Sequence, residues 1–71
     1  MSRFSQRRLN QEADYFDREA RRSDRAAASG DRDGSREASR AADIARGNAH
    51  EYRHIASELR DGEIPDNVQL D

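Results

Sequence analysis

Ser29-Gly30-Asp31-Arg32-Asp33-Gly34-Ser35 divides the chain into two long stretches that contain no proline. Gly30 suits the left-handed position that closes a helix, because it has no Cβ to clash there. Ser35 suits the N-cap of a following helix, where its hydroxyl can accept from a backbone N–H of the first turn. A second stop stands at Asp61-Gly62, and Pro65 prevents any helical continuation. This punctuation predicts helices over about 5–29 and 35–60, followed by an acidic, partly extended tail over 62–71.

Outward from that divider, apolar residues recur with a helical period on both sides. In the first half Leu9, Ala13, Phe16, Ala20, Ser23 and Ala27 alternate at spacings of four and three, which is the pattern of a coiled-coil seam. In the second half Ala38, Ala42, Ala45, Ala49, Tyr52, Ala56 and Leu59 repeat it, with Ala41, Ile44 and Ile55 widening the apolar arc on one side. A short connection between two such helices favours an antiparallel hairpin. The fold class expected is therefore all-α, one hairpin domain over 1–61. Alanine seams bury little area per contact, so the wider arc on the second helix predicts that two hairpins pair into a four-helix bundle. Leu9, Ala13, Phe16, Ala20, Ala45, Ala49, Tyr52, Ile55, Ala56 and Leu59 are the residues expected to carry assembly. Gly47, inside the second helix, reads either as a tolerated flaw or as a close helix crossing.

Composition sets the limits within which such a hairpin must work. Seventy-one residues form one domain at most, and a chain this short buries only about 60% of its unfolded surface. Apolar residues make up 32% and charged residues 39%, a balance that borders on that of chains folding only on binding. With no cysteine, neither a disulfide framework nor a cysteine-based zinc site can act as a staple. Self-association or a partner is the remaining support. No stretch approaches the roughly 20 apolar residues of a membrane span, so the expectation is a cytoplasmic protein without membrane contact.

Charge is distributed unevenly. All 13 basic residues are arginine, which codon bias in a GC-rich genome explains first, ahead of a need for bidentate guanidinium groups. Arg3, Arg7, Arg18, Arg21, Arg22 and Arg25 fall on the side of the first helix opposite its seam, a candidate face for nucleic acid or an acidic partner. Phe4 and Tyr15 stand at its edge, where they could stack on bases. Net charge is −2, however, and Glu12, Asp17, Glu19 and Asp24 lie at spacings that allow them to pair with the stripe, while Asp14 lies within it. A solvated helix face is the plainer account. Asp61 to Asp71 holds four acids and no base, so the tail is a candidate to fold over the arginines.

One short motif points to chemistry. His50-Glu51-Tyr52-Arg53-His54 matches the H-E-x-x-H pattern of zinc metalloproteases, in which two histidines one turn apart bind zinc and the glutamate acts on the bound water. Glu58 stands one turn further on the same face as a third candidate ligand. Here both histidines lie away from the Ala45, Ala49, Tyr52 and Ala56 seam, and the roughly ten residues after the helices are expected to be too few to form a second lobe that could hold a substrate. The expectation is therefore exposed, non-catalytic histidines, with no catalytic residue, metal or cofactor. No glycine-rich phosphate loop is present, and Asp31 and Asp33 lack the other ligand positions of a calcium loop.

The layout is similar to that of the Rop family of plasmid-borne RNA-binding hairpins. Leu9-Asn10 in the first helix, Ala42-Asp43-Ile44 in the second and the Gly-acid tail carry the likeness. The resemblance implies a dimeric four-helix bundle that reads RNA along one helix face, with Arg3 and Asn10 as contact residues. The residues by themselves favour an interaction module, of adaptor or inhibitor type, working as a homodimer on a protein partner. An RNA- or DNA-binding dimer using the arginine stripe is the second expectation, and a zinc hydrolase through His50, Glu51 and His54 the third.

Overall fold

The computed structural model describes residues 4–70, which form two α-helices packed against each other and a short tail. Helix α1 runs Gln6–Asp33 and helix α2 Arg36–Arg60, and the molecule measures 48 × 18 × 18 Å. Both helices start on a serine. Ser5 Oγ accepts from the Arg8 amide and Ser35 Oγ from the Ala38 amide, each at 3.1 Å, so two otherwise unsatisfied donors are capped.

Helix α1 ends four residues later than the expected position 29, on Gly34 rather than Gly30. Gly34 takes the left-handed conformation at φ 77° and its amide donates to the Gly30 carbonyl. Gly30 stays helical because it occupies the next seam position after Ala27, facing α2. A Cβ there would lie 2.6 Å from the Ala38 carbonyl oxygen and 3.0 Å from the Ala42 Cβ. The helices close so tightly at this end that only a hydrogen fits, and the connection shrinks to Gly34 and Ser35.

Gly47 is the opposite case, since a Cβ on it would meet nothing within 4 Å. Within the hairpin it is no crossing point. The two glycines should therefore respond oppositely to alanine. Gly47→Ala is expected to stabilise the dilute hairpin by about 0.5–1 kcal/mol through helix propensity. Gly30→Ala is expected to lower stability by about 1–2 kcal/mol despite the same propensity gain, because a backbone carbonyl must move. Thermal melts of both variants check this.

The core is strongly asymmetric along the hairpin axis. At the open end Leu9, Ala13, Ile55, Ala56 and Leu59 are buried together, with Phe4, Phe16, Ile64, Val68 and Leu70 packed against them. Towards the turn the buried residues are Ala20, Ala27, Ala42 and Ala49 alone. Of the residues expected in the two seams, Phe16, Ser23, Ala38, Ala45 and Tyr52 are half-buried and the rest are buried. Phe16 and Tyr52 meet across the helices at 6.0 Å between ring centroids, and Tyr15 sets its edge against Phe16 at 5.4 Å.

The tail docks instead of trailing free. Gly62, at φ 87°, reverses the chain after α2; its amide donates to the Leu59 carbonyl and the Glu63 amide to that of Glu58, a Schellman closure. Ile64, Val68 and Leu70 then reach the open-end core, while Glu63 to Asn67 lie beside Glu51, His54, Ile55 and Glu58 of α2. This places the tail along α2, not over the arginine stripe of α1. Its apolar residues fix that position by covering Ile55, which outweighs weak attraction between exposed charges.

Candidate interaction surface

Three surfaces carry the residues singled out in the sequence, and a fourth feature connects the helices. That fourth feature is a ladder of ion pairs along one flank of the seam. Arg60 reaches Asp17 at 2.7 Å and Asp14 at 2.8 Å, Arg53 pairs with Asp24, and Arg46 pairs with Asp31 at 2.7 Å and also with Asp43. The arginines step by seven residues up α2 while Asp17, Asp24 and Asp31 step by seven down α1, so one antiparallel register satisfies all three rungs. Each pair is exposed and individually weak; together they penalise any slip of one helix along the other.

Hydrogen bonding to Arg53 holds the Asp24 carboxyl below its ordinary value of 3.8, and the Ser35 hydroxyl and amide do the same for Asp33. A lowered carboxyl pKa means that the unfolded chain binds protons first as pH falls. The contribution of these groups is thus fully present above about pH 4 and is lost as pH drops below it. Asp24→Asn should flatten the acid limb of a stability-versus-pH curve while leaving the limb above neutrality unchanged. Urea titrations across pH 2–7 read this directly.

The ladder also changes the reading of the arginine stripe. Asp14, Asp17 and Asp24, expected to neutralise it, turn to α2 instead. Glu12 pairs with Arg8 at 3.1 Å and Glu19 with Arg22 at 3.8 Å. Arg7, Arg18, Arg21 and Arg25 are exposed and lack an acidic partner among the described residues. At about 100° per residue they share an arc of roughly 60°. Because α1 extends to Asp33, Arg32 joins the same line from its last turn. Arg3 lies outside the described residues.

His50 and His54 sit on the exposed side of α2, and His54 Nε2 contacts Glu58 Oε1 at 2.9 Å. No group of three His, Cys, Asp or Glu side chains is arranged to hold a metal ion among the described residues. The H-E-x-x-H stretch therefore presents one histidine engaged by its neighbouring acid and the other open to solvent.

The remaining surface is the face of α2 turned away from α1. Ile44 is 61% exposed there, the most exposed large hydrophobic side chain among the described residues. The arc formed by Ala41, Ile44 and Ile55 is thus split: the tail covers Ile55 and leaves Ala41 and Ile44 bare. A shallow groove lined by Arg36, Glu37, Arg40, Ala41 and Ile44 lies near the turn, and a second, lined by Glu51, His54, Ile55, Glu58 and the tail, lies near the open end. No helix among the described residues is long and apolar enough to cross a membrane.

These features define the class as an alanine-seamed antiparallel hairpin whose turn end has an uncovered apolar flank. Comparison with protein-family models, curated proteins and solved structures gave no match. The likeness to the Rop hairpins accordingly rests on layout and the short fragments quoted above.

Proposed function

We propose that the protein is a non-enzymatic helical interaction module, of adaptor or inhibitor type, that works through protein–protein binding and self-association into a four-helix bundle. The observation that carries this reading is Ile44, a large aliphatic side chain exposed at the end of the hairpin whose own core is only alanine. Covering it adds apolar burial where the monomer has least. Sedimentation equilibrium should show the mass rising from 8.1 kDa towards twice that value with concentration. Ile44→Asp should return it to the monomer without loss of helicity. A wild-type mass of one chain at every concentration would refute self-association.

A second reading is supported by the unpaired Arg7, Arg18, Arg21, Arg25 line: binding of RNA or DNA along α1. Phosphate contacts release counterions, so affinity must fall steeply with salt. Titration at two salt concentrations, with Arg18→Glu and Arg25→Glu as controls, decides it; binding that ignores either salt or these variants rejects the reading.

A further inference from the structure

We infer that the surface completing this hairpin is the outer face of α2 on a second copy, packed antiparallel about a twofold axis at the level of Ala45 and Arg46. This rests on the self-association proposed above and specifies its face and register.

Glu37, Arg40, Ile44, Gly47, Glu51 and His54 follow one another along α2 at spacings of three and four, so they share the exposed face of α2 pointing away from α1, with Ile44 as its one large apolar side chain. In an antiparallel pair about that axis, each member meets the residue whose number brings the two to a sum of 91. Ile44 then meets Gly47 of the other copy, Arg40 meets Glu51, and Glu37 meets His54. Every layer is complementary. The exposed isoleucine faces the helix position that has no side chain and open space around it, so nothing there bars its approach. Arg40 and Glu51 are exposed and have no ionic partner among the described residues.

The two grooves obey the same symmetry. The groove near the turn carries two arginines, Arg36 and Arg40, and one acid, Glu37, beside Ala41 and Ile44; the groove near the open end carries four acids, Glu51, Glu58, Glu63 and Asp66, and His54. The twofold lays the basic groove of each copy on the acidic groove of the other. A twofold interface uses the same patch on both partners, so a patch must contain its own complement. Here it does, because one end is basic, the other acidic, and the aliphatic contact lies between them.

Arg40 and Glu51 are eleven residues apart, roughly 16 Å along the helix, too far to couple within one chain. The test compares Arg40→Glu, Glu51→Arg, the double variant and a 1:1 mixture of the two single variants, each followed by sedimentation and by circular dichroism for helicity. Each single variant should raise the dissociation constant at least roughly tenfold, since two attractive layers become repulsive. The double variant and the mixture should both recover the wild-type value. Net charge gives no such pattern. Starting from −2, the first variant loses a positive and gains a negative charge and the second does the reverse, so general repulsion would weaken one and strengthen the other. A parallel pairing would leave both single variants unchanged. Wild-type association that neither single variant weakens, or that the double variant fails to regain, overturns the register but leaves self-association standing. A wild-type mass of one chain throughout overturns both.

Discussion

Leu59→Asp is expected to unfold the protein at room temperature, and Leu59→Ala to remove about 2–5 kcal/mol of stability. Leu59 has no exposed surface and, with Leu9, is one of the two largest fully buried side chains. At about 0.05–0.15 kcal/mol per residue, a chain of 71 residues holds roughly 4–10 kcal/mol in total, so one leucine accounts for a large share. The aspartate variant adds an unpaired carboxylate to the lost contact. Phe16→Asp should be milder, because Phe16 is half-buried and its ring can be partly replaced by water. Urea melts followed by circular dichroism give the ranking; equal loss at the two positions would show that the core does not centre on the open end.

Truncation after Gly62 is expected to lower stability by roughly 2–4 kcal/mol, in proportion to the apolar cover that Ile64, Val68 and Leu70 provide. It also deletes the Glu63 amide that satisfies the Glu58 carbonyl. The loss should be local before it is global. Hydrogen exchange should quicken around Leu9, Ile55 and Leu59 while Ala27 and Ala42 at the turn end keep their protection relative to the rest. A truncated chain as stable as the full one would mean that the tail only rests on the surface. Since Ile55 would be bared about three turns along α2 from the already exposed Ile44, the same truncation should promote non-specific association at high concentration.

Much of the surface chemistry was legible in the sequence, though not its pairing. The spacings of four and three located the seam, and Ser35 and Gly62 marked their caps, because a helix fixes which residues share a face within two turns. Heptad spacing also held the signal for the ladder, Asp17, Asp24 and Asp31 against Arg46, Arg53 and Arg60. It was missed because intrahelical pairing at three and four residues offered Asp17 and Asp24 equally good partners in α1. Which partner an acid takes depends on the register of the other helix, and no local rule supplies that.

By itself, then, the sequence determined two amphipathic helices, an alanine seam, a break between them within residues 29–35 and arginines outside the seam, all consequences of local turn chemistry and of a period of about 3.6 residues acting over short distances. Only the tertiary structure decided that Gly30 is a contact and not a terminus, that the tail lies along α2, and that Ile55 is covered while Ile44 is bare. Ile44 and Ile55 belong to the same stripe and differ only in what arrives from elsewhere in the chain. Packing between distant segments makes that choice, through close fit at Gly30 and apolar cover at Ile55, and the resulting gap at Ile44 is where the proposed interaction begins.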